Sequence, residues 1–475
     1  MYALRTARPR QLRARALRPL RRRRFAARPR PAVPQPLVAN EPLWRSRAFD
    51  RSGAAPDSGS RLALFHAHYG DDVLEAARTG DAATAHAATA AWTRSNPPSA
   101  GDAWHPYPLS TRIGNWIAAL TLEPTVQESV AADSLWRQLE YLAGNVENDT
   151  LGNHVIRNAK ALLLGGAAFQ DQRLMDLGQM LLARELPEQV LADGGHYERS
   201  PAYHRLVLRD LLEVAPFADV SAVLSQMQNF AAATSRPDGA PALFNDGGLD
   251  VAPHLDLPPP PPGTTVLPDS GYAVVRRGEL WLAFRCGPLA PSFLPAHAHA
   301  DALSFQLWWS GRPVIVDPGM PTYEAGPERD RFRGTAAHST VAVGGDQFEL
   351  WGAFRSGPLP RVELVTAGDD TLIATASYRG VRHRRSIEIA KGAIDIRDRI
   401  EGHGTMRVIA ALPLAPDASI DVEAYGPLPA RQDGRVVAER LGERVPSRAW
   451  VLDGTVKLPV ELGWRILLRP EPAGG

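Results

Sequence analysis

The chain has 475 residues, 44% of them hydrophobic, which is too long for one ordinary core and rich enough to build two. A single cysteine, Cys286, excludes any intramolecular disulfide; this fits a reducing compartment without excluding the periplasm, where many proteins lack bridges. The net charge of +1 hides an asymmetry, because the first thirty residues hold many arginines and no acidic residue, and the remainder is therefore acidic.

In chain order, residues 1–40 open with "MYALRTARPRQLRARALRPLRRRRFAARPRPAVP". A nucleic-acid arm, a transit-like peptide and a membrane-surface anchor are the functional readings of such a stretch. Its Pro and Arg content makes a disordered basic tail the simpler expectation, with no nucleic-acid partner. Arginines interrupt every apolar run that could reach the roughly seven residues of a secretory signal core, so no clear export signal is read. Nothing approaches the roughly eighteen apolar residues of a membrane span.

Residues 41–255 are expected to be helical, since apolar residues recur at helical spacing in "SLWRQLEYLAGNV", "NHVIRNAKALLLGGAAF", "RLMDLGQMLLARELPEQVL" and "YHRLVLRDLLEVAPF". Such hairpin units must stack on one another to bury their apolar faces. Consecutive prolines then make residues 256–268 a stiff linker. From 269 to 475 the texture changes to short Val-, Ile-, Leu- and Trp-rich runs punctuated by Gly and Pro, such as "YAVVRRG", "LWLAFRCG" and "SFQLWWSGRPVIVDPG", the pattern of a large antiparallel β domain.

Chemistry-bearing residues lie in both textures. In "NDTLGNHVIRN", Asn153 and His154 follow Gly152 at the start of an apolar helix, where free backbone N–H groups favour an anion; an N-cap asparagine is the plainer alternative. "DGGHYERSPAYHRLVLRDLLE" gathers Asp193, His196, Tyr197, Glu198, Tyr203 and His204 ahead of another helix, with Ser200 and Pro201 as a helix start. In "HAHADALSF", His297, His299 and Asp301 would project from one side of an extended strand. Asp317 ends the apolar run of "VIVDPGMPTYEAG", Tyr323 follows it, and His338 opens the next strand in "RFRGTAAHSTVAVGG". Imidazole and carboxylate are both zinc donors, but spacing does not choose among His297, His299, Asp301, Asp317 and His338.

Together, "NH" at 153–154, "DGGHYERSPAYH" at 193–204, "HAHADALSF" at 297–305, "VDPGMPTY" at 316–323 and "RGTAAHSTV" at 333–341 resemble the heparinase II/III-like polysaccharide lyases, a group similar to some alginate lyases. The resemblance implies an incomplete (α/α) toroid followed by an antiparallel β-sandwich, with a substrate cleft between them. It implies β-elimination of an acidic, uronate-containing polysaccharide. Asn153 and His154 would neutralise the substrate carboxylate, Tyr203 would abstract the C5 proton beside His297, and Tyr323 would serve as a second tyrosine. Glu198 and Arg333 would bind substrate or orient catalytic groups. His299, Asp317 and His338 match the metal ligands, a structural zinc site, which overrules placing both histidines of one strand on the metal. Trp104, Tyr107 and Trp116 are candidate sugar platforms, although tryptophans at helical spacing are more often core. "HPYPLSTRIGNWI" at 105–117 looks like the versions associated with bacterial exopolysaccharide or capsule production, and the family favours the cell envelope or periplasm, while the lack of an export signal leaves the cytoplasm open. A homodimer is compatible with this reading. The alternative is a non-catalytic glycan-binding or assembly protein on the same fold.

Overall fold

The computed structural model describes residues 7–21, 27–45, 60–98, 101–124, 129–251 and 253–468. The helical half contains α1 (Pro9–Arg21), α2 (Glu41–Arg45), α3 (Arg61–His66), α4 (Asp71–Arg78), α5 (Ala82–Ser95), α6 (Pro106–Leu122), α7 (Ser129–Gly144), α8 (Asn153–Phe169), α9 (Gln172–Gln189), α10 (Pro201–Val214) and α11 (Ser221–Ala233). Together they form the incomplete (α/α) toroid. None of the described helices is long and apolar enough to cross a membrane.

Helices α6 and α8 are buried on nearly every side, which their small and apolar residues permit, and they form the spine of the helical core. Only two residues join α8 to α9. Gln170 turns the chain in the left-handed region, and Asp171 caps α9 by accepting from the Leu174 N–H, so the two helices fold back on one another. Helix α10 starts as the sequence suggests, with Ser200 accepting from the Tyr203 N–H and Pro201 in the first turn.

The described part of residues 1–40 is not a detached tail. Arg10 of α1 reaches Glu185 (3.1 Å) and Glu188 (2.8 Å) on α9, Arg8 pairs with Glu188 (2.8 Å), and Gln11 and Ala14 are buried. Further on, the Trp136 indole donates to Arg28 O, the Gln35 N–H to Ala168 O and the Leu37 N–H to Thr121 Oγ1. Leu37 and Trp44 enter the helical core. The carboxylates that hold the arginines lie more than 170 positions away in sequence, and two isolated apolar anchors leave no periodicity to read. Residues 1–6 and 22–26 of the expected tail lie outside the described residues.

In the β half, β1 (Gly263–Leu267), β2 (Tyr272–Arg277), β3 (Leu280–Arg285), β4 (Phe305–Trp309) and β5 (Arg312–Ile315) form an antiparallel meander. β1 begins within the expected 256–268 linker, because pairing becomes available as soon as the prolines end at 262. After α12 (Pro327–Arg333) come β6 (Val341–Val343) and the short hairpin of β7 (Leu350–Trp351) and β8 (Arg355–Ser356). The remaining strands are β9 (Arg361–Ala367), β10 (Thr371–Tyr378), β11 (Val381–Ala390), β12 (Ala393–Glu401), β13 (Thr405–Pro413), β14 (Asp421–Tyr425), β15 (Ala430–Val437), β16 (Val445–Lys457) and β17 (Val460–Leu467). They build a six-stranded sheet in the order β14-β17-β12-β11-β10-β9 and, with β6, a four-stranded sheet in the order β15-β16-β13-β6.

The first sheet joins the two halves. Ala273, Val275, Leu282, Phe284, Phe305 and Leu307 face the main β core, while the alternate residues Tyr272, Val274, Trp281, Ala283 and Trp308 pack with Phe230 and Ala233 of α11 and with Phe244. Both faces are covered, which is why these strands read as unbroken apolar runs.

Leu37→Ala tests whether the N-terminal segment is part of the fold. Truncating this buried leucine should cost about 2–5 kcal/mol in chemical unfolding; a loss under about 1 kcal/mol would restore the detached tail.

A candidate active-site cleft between the two halves

A cleft of about 1830 Å³ opens between the helical and β halves. Its helical wall includes the start of α8. Gly152 there has φ +64°, and a Cβ on it would stand 2.0 Å from Glu198 Oε1, so only glycine fits. Its N–H donates to the Tyr197 hydroxyl (2.9 Å). The turn brings Asn153 and His154 to the cleft at the helix N-terminus. Asn153 Oδ1 is buried without a protein partner. His154 Nδ1 lies 3.1 Å from Glu147 Oε1, its ring packs on Tyr107 at 4.4 Å, and His105 Nδ1 is 3.7 Å from the same carboxylate oxygen. Burial disfavours the His154 imidazolium, but the Glu147 charge and hydrogen bond outweigh it and raise its pKa above the usual value. Burial likewise works against the Glu147 carboxylate, and His154 and His105 hold it below the usual range.

The opposite group comes from four segments. Tyr203, in the first turn of α10, places its hydroxyl 2.7 Å from the Tyr323 hydroxyl, and its ring stacks on His297 at 4.2 Å. Burial pushes both phenols well above the ordinary tyrosine value, so each keeps its proton in the resting cleft. The hydrogen bond between them stabilises whichever gives its proton up. His297 Nδ1 is 3.0 Å from Asp246 Oδ2, and its Nε2 is 3.9 Å from Glu198 Oε2. Glu198 is itself raised, chiefly by burial, and its Oε2 has no hydrogen-bond partner.

Asp246 sits behind this group. Arg329 of α12 donates two bonds to it (2.5 and 2.6 Å), and His299 Nε2 lies 2.9 Å from Oδ1. Burial opposes the Asp246 charge, yet Arg329 and the hydrogen bonds hold the carboxyl well below its usual range.

Residues 297–301 are a loop leading to β4 rather than a paired strand, because their N–H groups are taken by non-ladder acceptors: His299 N donates to Asn245 Oδ1 and Ala300 N to Arg333 O. The alternation nonetheless survives, with Ala298, Ala300 and Ala302 in the β core. The three polar residues then diverge. His297 faces the cleft, and Asp301 lies 3.0 Å from the buried Arg285. His299 joins Asp317 and His338 in a buried group whose ligand atoms all lie within 4.8 Å of one another. His338 Nδ1 is 3.0 Å from Asp317 Oδ2, while His299 Nδ1 and His338 Nε2 have no hydrogen-bond partner. This group can hold a metal ion. Burial takes His299 down to about 4, so it is neutral at ordinary pH.

Of the expected site residues, Asn153, His154, Glu198, Tyr203, His297, Tyr323 and Tyr107 line the cleft. Trp104 and Trp116 do not: both belong to the helical core, where the Trp104 indole donates to Asn96 O and Trp116 packs edge-on against Trp92. Arg333 is fully buried and donates to the carbonyls of Ala298, Gly352 and Ala353, so it braces the 297–301 loop instead of meeting substrate. Phe354, 45% exposed at the cleft and stacked on Tyr323 at 5.9 Å, is the aromatic surface actually presented. Sequence reading passed over Phe354, Glu147, Arg329 and Asp246. Only Asp246 carried a signal, in the polar glycine turn "NDGG".

Family profiles described as "Heparinase II/III N-terminus" and "Heparinase II/III-like, C-terminal" match residues 77–236 and 259–466 in that order. The chain belongs to the heparinase II/III-like family. Among curated relatives of this family member, a heparin-sulfate lyase of Bacteroides thetaiotaomicron is 22% identical over 373 residues, 62% of this chain and 52% of that protein. A second heparin-sulfate lyase, from Bacteroides stercoris, is matched over 41% of its length, so the chain spans about half the length of these relatives. FtsZ-localized protein C of Caulobacter vibrioides is 25% identical over 403 residues, 76% of this chain and 66% of that protein. A solved heparinase III superposes with a TM-score of 0.70 at 16% identity, covering 96% of this chain and 89% of that one, which establishes the shared heparinase fold.

The His154–Glu147 pair predicts a pH dependence. His154 is raised, so its share of the pair is complete below the ordinary value of 6.5 and is lost as pH rises through the raised value. Glu147 is depressed, so its share is present above the ordinary carboxylate range and is lost as pH falls through the lowered value. The pair is therefore complete between the ordinary carboxylate range and 6.5, and it weakens on either side, through His154 as pH rises and through Glu147 as pH falls. An NMR titration should place His154 above 6.5, and Glu147→Gln should lower it, because only the weaker attraction of Glu198 then opposes burial; an unmoved titration would show that Glu147 is not the cause.

Proposed function

We propose that the protein is a polysaccharide lyase that cleaves a uronate-containing acidic glycan by β-elimination. The observation that carries this is the paired Tyr203 and Tyr323 hydroxyls, with His297 stacked alongside, in the same cleft as Asn153 and His154. The C5 proton of a uronate is weakly acidic while the neighbouring carboxylate keeps its full charge. The His154 imidazolium and the Asn153 side chain meet that carboxylate and stabilise the enolate-like intermediate, as in an oxyanion hole. When substrate binds, Tyr203 gives its resting proton to the solvent of the open cleft; the resulting phenolate takes the C5 proton, the electron pair forms the C4–C5 double bond, and the C4–O bond breaks. The departing oxygen takes a proton from Tyr203 or, through the 2.7 Å hydrogen bond, from Tyr323. The relatives named as heparin-sulfate lyases support this chemistry.

Tyr203→Phe removes only the hydroxyl. It should lower formation of unsaturated uronate, followed by ultraviolet absorbance over a panel of acidic polysaccharides, by about 10²–10⁴-fold, with the melting temperature and glycan affinity nearly unchanged. Activity within a few-fold of the parent would remove Tyr203 from the role of base. A second reading, a glycan-binding protein without catalysis on the same fold, would be supported by retained binding with no unsaturated product from any polymer.

We further infer that the His299, Asp317 and His338 group holds zinc. Two imidazoles and a carboxylate are a zinc donor set, and Asp246 behind His299 supplies the carboxylate that commonly orients a ligating histidine. The ion would pin the loop that carries His297. Metal analysis should find about one zinc per chain, and His338→Ala should lose it together with several degrees of melting temperature. A metal-free parent no more stable than the variant would exclude the site.

A further inference from the structure

The charge of the cleft points to its substrate class. Among the described residues, six Lys and Arg line it against eight Asp and Glu. The cations are already committed. Arg157 donates two bonds to Asp210 (2.9 and 3.1 Å), and Lys160 lies between Asp210 (2.7 Å) and Glu213 (3.0 Å). Arg209 pairs with Glu213 (3.3 Å) and donates to Leu43 O, and Arg205 is held by Ser235 Oγ and Gly239 O. At the rim, Arg61 faces Asp102 at 3.4 Å, and Arg440 is also engaged. A sulfate group is bound by Arg or Lys whose charge is not already neutralised. Entering this cleft, it would instead meet Arg157, Lys160, Arg209 and Arg61 already paired with carboxylates, Arg205 held by neutral oxygens, and carboxylates that outnumber the Lys and Arg, which repel it at a range that water-poor walls extend. A single carboxylate is provided for, by the His154 side chain and the Nδ2 donor of Asn153 at the start of α8.

We propose that this cleft selects an unsulfated glycan, one whose only anion per repeating unit is the uronate carboxylate, and rejects its sulfated counterpart. The proposal rests on the lyase reading of the same cleft, and it parts this chain from the substrate in the names of its heparin-sulfate lyase relatives. The rejection resides in the basic residues of the helical wall, which line the cleft but spend their hydrogen bonds on the wall's own carboxylates, hydroxyls and carbonyls.

The test uses the full chain and matched oligosaccharides: heparin against fully desulfated, N-acetylated heparin, and chondroitin sulfate against chondroitin, with polymannuronate as a third unsulfated chain. Binding is measured at near-physiological salt for the parent and for Asn153→Ala, and only the part lost in that variant is counted, which removes attraction to the arginine-rich N-terminal segment. At least one unsulfated chain should bind in the cleft, tenfold or more tightly than its sulfated partner where it has one, and yield the unsaturated product. A sulfated chain that binds as tightly as its unsulfated partner, or is cleaved as fast, overturns the proposal, as does the absence of cleft binding by every unsulfated chain. Selective binding of an unsulfated chain with no unsaturated product supports the substrate class and removes the lyase reading, so the two fail separately.

Discussion

The buried ion pair between Asp246 and Arg329 is the constraint on which the site depends. Asp246 lies just beyond the helical half, and Arg329 belongs to α12 of the β half. Taking both charges out of water is costly, and only the two short, parallel hydrogen bonds with the histidines alongside make the arrangement tolerable. Once made, the pair leaves little freedom. The same carboxylate meets His297 on the cleft side and His299 on the side of the buried histidine and aspartate group, so one residue orients a cleft imidazole and a candidate metal ligand together. Breaking it would strand a buried charge, which typically costs about 3–5 kcal/mol, far more than a surface salt bridge is worth.

Around that pair the two halves are held by ordinary packing. The first sheet is apolar on both faces, one turned to the β core and the other to α11 and Phe244. Because the sheet is sandwiched, the loop between β3 and β4 that carries His297 cannot drift from the helical wall that carries Tyr203. Arg333 fastens the same loop from behind through three backbone carbonyls. The stacking of His297 on Tyr203 is thus the product of a rigid interface, the preorganisation that proton transfer requires.

The helical wall spends its charges differently. Arg157, Lys160, Asp210, Glu213 and Arg209 form a continuous network across α8 and α10, and Asn40 donates to Glu213 O from the N-terminal segment. Such a network stabilises the packing of long, buried helices, and it makes the wall polar without making it a polyanion receptor. His154 is the exception, since its partner Glu147 raises the imidazole's pKa above the usual value and so favours a cation facing the cleft.

The amino-acid sequence by itself determined the two textures, the helix starts at Ser200 and Gly152, and the five polar blocks that carry the family resemblance. These are local properties: periodicity, capping and glycine turns depend on neighbours a few positions away. It also marked Asn153, His154, Tyr203, His297 and Tyr323, whose residue types are unusual where they stand. Tertiary structure alone decided what those residues meet. Trp104 and Arg333 have the chemistry of ligand binders, yet packing took one into the helical core and gave the other's guanidinium to backbone carbonyls. Asp246 and Arg329 are 83 positions apart and Arg10 and Glu185 are 175 apart, so neither pairing leaves a trace in local pattern. Nor did spacing choose between His297 and His299: two positions apart in a loop, they part company because Asp246 stands between the cleft and the buried histidine and aspartate group, and only the fold brings it there.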